Sequence, residues 1–145
     1  MSVHLIKLAV GVEDVDHLAA LQAQRARDNV RAGLGPNPRH YTRQRPKREA
    51  ELVDGGSIYW VIRGHVQVRQ RVLGLDTHMD EDGKSRCALI LDGELVPVRK
   101  TAHRAFQGWR YLDAAKAPPD ADNDEGEGRG LPDALAQDLG DLGLL

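Results

Sequence analysis

Residues 57–75, SIYWVIRGHVQVRQRVLGL, limit what this chain can fold into more than any other stretch. They form the longest β-rich run, and Gly64 divides it in two. Ser57 to Arg63 reads as one strand and His65 to Leu75 as a second. Side chains alternate along a strand. In the second strand Val66, Val68, Gln70 and Val72 therefore share one face, and Gln67, Arg69, Arg71 and Leu73 share the other. One face is apolar except for Gln70, and the other is basic. This pattern predicts a sheet with one side on a core and one side meeting solvent or a partner.

The remaining elements are predicted around that pair. His4 to Val10 is an apolar run interrupted by Lys7, and it reads as a short first strand ended by Gly11. Glu13 to Asn29 reads as a helix, with acids in its first turn and Arg25 and Arg27 in its last, as the helix dipole favours. GLGPNPR at 33–39 is loop by its Gly and Pro content. Pro46 and the pair Gly55-Gly56 bracket a short helix from Lys47 to Val53. Asp82-Gly83 signals a hairpin turn. The return strand, Arg86 to Asp92, is apolar on both faces and so predicted to be buried. Leu95 to Val98 is a strand that Pro97 places at an edge. Phe106 to Leu112 closes the series, with a bend at Gly108.

Five of the six aromatics, Tyr59, Trp60, Phe106, Trp109 and Tyr111, fall in two of these strands, which are therefore expected to share a space. The fold class that results is α+β. The expectation is a small, closed or nearly closed β-barrel of five to six mostly antiparallel strands with two helices. A chain of 145 residues suggests one domain with a real core. That domain is expected over residues 1–116. From Ala117 the sequence turns acidic and rich in Pro and Gly, predicting a flexible linker over 117–130. Leu135, Leu139 and Leu142 predict a weak helix within 131–145.

Charge is unevenly distributed. Residues 1–116 hold 19 Lys/Arg against 14 Asp/Glu, net +5, and residues 117–145 hold one Arg against eight acids, net −7. Residues 25–48 alone carry +7. Such a split points to a polyanion partner for the body, or to a body and tail that see each other.

Several chemistries lack their residues. The single Cys87 permits no internal disulfide and no cysteine pair for zinc. It lies inside the apolar run CALIL, where a thiol stays protonated and inert. A reducing cytoplasm is the compartment expected from this usage. The N-terminal apolar run is too short to span a membrane. The six histidines show no HxxxH or HExxH spacing. Counting from Asp76, the calcium-loop positions that need Gly and Glu hold Glu81 and Cys87. No metal and no cofactor is expected. No P-loop and no G-x-G-x-x-G occurs. Ser57 lacks the second glycine of a nucleophile elbow and leads into a strand.

The pieces HYTRQRPKR, DGGSIYWVIRGHVQVRQRVLGL, RCALILDGELVPV, FQGWRYL and the terminal LGLL resemble a family of small bacterial proteins known only as a domain of unknown function. The resemblance covers nearly the whole chain apart from the linker, and it implies an architecture without an activity. More distantly, the order of elements is similar to PUA-like barrels of the ASCH and EVE type. That similarity implies binding of RNA or a modified nucleobase in a cleft between barrel and helices.

The residues suited to such a ligand are the arginines and aromatics. Guanidinium forks suit phosphate, and rings stack on bases. Arg43, Arg45, Lys47, Arg48, Arg69, Arg71 and Arg110 are the expected phosphate contacts, with Trp109 and Tyr111 as stacking partners. Gln70, a polar amide on an apolar face, is the expected base-reading group in the barrel mouth or, alternatively, a cap on a backbone group or a residue rotated outward by a bulge. The favoured expectation is a binding domain for RNA or a nucleotide-like anion. One alternative is an enzyme acting on a small anion, with an arginine clamp and His40 or His65 as acid/base. Another is a protein-interaction module using the acidic tail.

Overall fold

A computed structural model of the chain describes residues 3–121. From residue 122 on, the linker expected over 117–130 and the helix expected over 131–145 lie outside the described residues. The elements run in the order β1 (Val3–Leu8), α1 (Val15–Arg31), β2 (Arg39–Thr42), α2 (Glu49–Val53), β3 (Ser57–Ile62), β4 (His65–Met79), β5 (Ser85–Leu91), β6 (Val96–Ala102) and β7 (Trp109–Asp113). A 3₁₀ turn, Ala114–Lys116, follows.

All seven strands join one sheet, with path β2-β5-β4-β3-β1-β7 and β6 paired to β4 beside β5. β1 and β3 are parallel, and the other pairings are antiparallel. The domain is mixed α+β, but the expected barrel does not close, because β2 and β7 form no ladder with each other. The segment between β2 and α2 fills that seam instead. Trp109 Nε1 donates to the Gln44 carbonyl at 3.3 Å, and the Arg48 backbone N–H donates to Tyr111 Oη at 3.1 Å. Pro46 sits in this segment without an N–H to give a ladder, so side-chain bonds join the two edges.

The central hairpin is tight. Arg63 and Gly64 both have positive φ, 50° and 78°, and Ile62 pairs with His65. Two positive-φ residues match the twist that a two-residue hairpin needs. The Asp82-Gly83 turn also forms, with Gly83 N–H on the Asp80 carbonyl at 3.0 Å and the Asp80 carboxylate accepting from the N–H groups of Asp82 and Lys84. Gly56 is a different requirement. A Cβ there would stand 2.3 Å from the carbonyls of Leu52 and Val3, so α2 can press on β1 only over glycine.

β4 departs from simple alternation. Trp60 pairs with Val68 and Val61 with Val66, leaving Gln67 as an extra residue. Leu73 is a second extra residue, between Val72 and Gly74. A bulge bends its strand and re-aims the side chains beyond it. Val66 consequently faces the cluster of Ile6, Tyr59, Val61 and Val98. Val68 and Val72 face the larger cluster on the opposite side with Leu5, Ile58, Trp60, Leu89 and Leu91. The expected four-residue face is therefore divided by Gln67. The larger cluster is roofed by α1 through Leu18 and by α2 through Leu52.

The aromatics divide likewise. Trp109 and Tyr111 pack with the Trp60 cluster, and Phe106 packs with the Tyr59 cluster. β3 and β7 both flank β1, which explains why the two aromatic strands share space. Beyond β7, Ala117 packs on the smaller cluster and the Pro119 carbonyl accepts from Arg99 N–H at 2.8 Å. The first residues of the acidic stretch thus run back along β6.

Candidate functional site

The most unusual chemistry lies where α1 crosses the sheet. Asp14 caps α1 by accepting from the His17 N–H at 2.8 Å. Leu18, Gln22 and Arg25 then recur at helical spacing and turn one face to the sheet. Beneath them, Lys7 of β1 lies in register with Trp60 of β3. β2 brings His40 to the same place, its ring 5.2 Å from Trp60 at 86°. A chamber of about 180 Å³ is lined by Lys7, Gln22, Arg25, His40 and Trp60 together with apolar side chains of α1 and β1. It adjoins a wider recess of about 440 Å³ lined by Arg25, Asp28, Asn29, Arg39, His40 and Tyr41. Arg25 and His40 border both.

The floor of this cleft is a buried amide pair. Gln22 and Gln70 exchange hydrogen bonds in both directions, one of them at 2.8 Å. Gln70 Oε1 also accepts from Trp60 Nε1 at 3.1 Å, and Gln70 Nε2 donates to the Asp92 carbonyl at 2.7 Å. Gln70 is fully buried and all four of its hydrogen-bonding positions are taken. It therefore offers no amide edge at a mouth. It caps a backbone carbonyl and ties α1 to β3 and β4.

The charge above that floor is unanswered. Lys7 and Arg25 make no ion pair among the described residues, and no carboxylate lines the inner chamber. Burial lowers the Lys7 pKa. Burial, then the charges of Lys7 and Arg25, hold the His40 pKa at about 4. His40 is thus neutral at pH 7, and its buried Nε2 has no hydrogen-bond partner. The buried Nε of Arg39 is also without one, although its Nη1 lies 3.4 Å from Asp76.

The arginines expected to hold phosphate are elsewhere, and four are already engaged. Arg45 pairs with Glu49 at 3.0 Å and reaches Thr77 Oγ1 at 3.2 Å. Arg48 forks onto Glu51 at 2.8 and 2.9 Å and lies 5.4 Å from the Tyr111 ring centre. Arg69 forks onto Asp120 at 2.8 and 2.9 Å and touches Ser57 Oγ at 3.3 Å. Arg110 sits 4.6 Å over Phe106. Arg43, Lys47 and Arg71 have no such partner among the described residues. Trp109 and Tyr111 meet edge to face at 5.0 Å and hold the β2–β7 seam. The set splits between that seam and the opposite sheet face, so it forms no single surface.

Sequence reasoning named His40 as a candidate acid/base and Trp60 only among the clustered aromatics, and it missed Lys7, Gln22, Arg25 and Arg39 as a group. The signal was present: Lys7 interrupts an apolar strand, and Gln22 and Arg25 fall on the apolar side of α1. His65 opens β4 beside the β3–β4 turn, with Nδ1 3.3 Å from the Arg63 carbonyl, and lines neither cavity. Cys87 is buried in the core, and burial pushes its thiol pKa up. Among the described residues no three His, Cys, Asp or Glu side chains gather as metal ligands, and no helix is long and apolar enough to cross a membrane.

A family model described as "Protein of unknown function (DUF1489)" matches residues 5–145. The chain belongs to this family. No curated protein and no solved structure matches it.

Proposed function

We propose that this domain binds a nucleotide-like anion in the cleft between α1 and β2. The observation that carries this reading is the unpartnered, buried His40 Nε2 beside two cations, Lys7 and Arg25, that no carboxylate answers. Buried polar groups are normally hydrogen-bonded, and an exception calls for an explanation. An anion in the chamber supplies both the missing acceptor and the missing charge. Tyr41, exposed in the wider recess, offers a ring surface for an organic remainder. The reading moves the ligand away from Arg43, Arg45, Lys47, Arg48, Arg69, Arg71 and Arg110, which then contribute general attraction for RNA or nucleotides rather than the site itself.

An enzyme acting on a small anion would use His40 as its acid or base. A group held near pH 4 carries no proton to give at neutral pH and is a weak base, so this cleft suits holding better than turnover.

The test is a titration of nucleoside monophosphates and a short oligoribonucleotide, followed by calorimetry. Arg25→Ala should weaken binding about tenfold, as expected for one charge-assisted contact of ~1.5 kcal/mol. Combined Arg43→Ala and Arg71→Ala should change it little at physiological salt. The opposite pattern, with loss only in the surface pair, would replace the cleft by a flat basic face.

A further inference from the structure

We infer that the inner chamber is built for a terminal phosphate monoester, the dianionic end group of a nucleotide or of a 5′-phosphorylated strand. This rests on the cleft reading above and narrows its ligand to one head group.

Charge balance is the first argument. Lys7 and Arg25 bring two positive charges to the chamber, and none of its lining residues is acidic. Asp28 borders only the wider recess, where Gln24 and Arg31 already engage it at 3.1 and 3.8 Å. A phosphate monoester carries about −1.5 to −2 at pH 7, whereas a carboxylate or an internal phosphodiester carries one charge. A dianion neutralises the chamber, and a monoanion leaves one of the two cations, half-buried Lys7 or exposed Arg25, without a counter-charge. Apolar walls, including Leu18 and Val12, sharpen that difference by lowering the local dielectric.

Shape is the second argument. A chamber of about 180 Å³ is smaller than the ~300–1,000 Å³ of pockets that take whole drug-sized ligands. It holds a tetrahedral oxyanion with little else. Its border with the wider recess at Arg25 and His40 gives the organic remainder a direction to leave, past Arg39, Asn29 and Tyr41. Hydrogen bonding is the third argument. The terminal oxygens meet the donors of the Lys7 ammonium and the Arg25 guanidinium, and the unpartnered His40 Nε2 in the same wall adds a third donor in its Nε2–H tautomer.

The experiment is calorimetry on the full chain at pH 7.5 with adenosine monophosphate, its methyl phosphodiester and adenosine. The monophosphate should bind about tenfold or more tighter than its methyl ester, the scale of one lost charge-assisted contact, and adenosine more weakly still. Arg25→Gln and Lys7→Gln should each erase most of that preference, with a melting curve confirming that each is folded. Arg25 lies toward the open recess, so its variant keeps the test standing if the Lys7 variant does not fold. Oligoribonucleotides with 5′-phosphate or 5′-hydroxyl ends separate the two sources. A preference for the phosphorylated strand assigns the site to strand ends, and equal weak binding beside a tight monophosphate assigns it to free nucleotides. Equal affinity for monophosphate and methyl ester, both lost in Arg25→Gln, would overturn the terminal-phosphate inference while leaving the cleft reading in place. Binding of none of these anions would overturn both.

Discussion

Positive charge gathers at two regions of this sheet, and only one of them has work left to do. On the face of β4 that carries Arg69, the guanidinium is met by both oxygens of Asp120 and by Ser57. Under α1, on the opposite face, Lys7 and Arg25 flank His40 without any carboxylate in the chamber. Residue counts make the first region look the stronger anion site, because arginines are denser there and along 43–48. Partnership reverses the ranking. A forked arginine has already exchanged water for a carboxylate, and a ligand must undo that exchange before it binds. The cleft cations have made no such exchange among the described residues.

The largest effect that bears on this contrast should come from the cleft floor. Gln70→Leu would strand the Trp60 indole N–H, the Gln22 amide and the Asp92 carbonyl, each buried or nearly so. At about 1–3 kcal/mol per stranded group, the loss should be roughly 3 kcal/mol or more. Chemical denaturation measures it. Ligand binding in the cleft should fall with it, because Gln22 is the bond between α1 and the sheet. Combining Gln22→Leu with Gln70→Leu removes both members of the amide pair and should cost less than the sum of the two single changes. Additive losses would mean that the pair does not hold the cleft together.

A pH series should produce the next largest effect, and only in the cleft. His40 faces Lys7 from β1, Arg25 and Asp28 from α1, and Arg39 and Tyr41 on its own strand. Its pKa is about 4 in the fold and about 6.5 in the unfolded chain. Between those values the unfolded chain binds more protons, so stability falls as pH drops. The contribution is fully present above pH 6.5, is lost as pH falls toward 4, and is level below it. About 2.5 units at 1.36 kcal/mol each gives roughly 3 kcal/mol at most. Denaturation midpoints for the native protein and His40→Gln should converge as pH falls from 7 to 4. A constant gap between them would show that His40 is not held neutral by its surroundings.

The sequence disclosed the strands better than the site, for physical reasons. Period-2 patterning and turn dipeptides are local, so β3, β4, β5 and both hairpins were legible, and Asp14 to Asp16 announced α1. β2 was not legible, because Arg39–Thr42 is four residues long, carries little apolar weight and pairs with β5 across some fifty positions. Without β2 the seam beside β7 goes unseen, and a closed barrel becomes the natural expectation. Bulges are equally silent: nothing in VQVRQRVLGL tells Gln67 from a regular strand residue, yet it turns Val66 to the other face. The site suffered most, because it depends on which charges find partners. Arg69 and Arg25 are alike as letters. One meets Asp120, fifty-one residues away, and the other meets no acid among the described residues. The polar residues that mattered were those interrupting an apolar face, Lys7, Gln22 and Gln70, rather than those massed in a basic run.

The smallest expected effect concerns the face that already has its carboxylate. Arg69 and Asp120 hold side chains that are 25% and 33% exposed, and the Arg69 guanidinium keeps the Asp120 carboxyl below its usual range. For a pair this wet, solvent screening leaves at most about 1 kcal/mol. Asp120→Asn should therefore lower stability only slightly, and Arg71→Gln, with no partner to lose among the described residues, should stay within about 0.5 kcal/mol of native. The informative readout is binding. Asp120→Asn leaves Arg69 beside Arg71 without its forked carboxylate, with only the more remote charge of Glu94 still acting on Arg69, so this face moves toward the cleft in charge. Arg71 is exposed there and no chamber encloses the pair among the described residues, so its charge remains screened over about 8 Å at physiological salt. The variant should gain weak phosphate binding at low salt that fades as salt rises, while the cleft affinity is unchanged. If it bound phosphate as tightly as the cleft does at physiological salt, enclosure would not be what separates the two regions, and freedom from a carboxylate would be sufficient by itself. If it gained no binding even at low salt, freedom from a carboxylate would count for little, and the case for the cleft would rest on its walls and on His40.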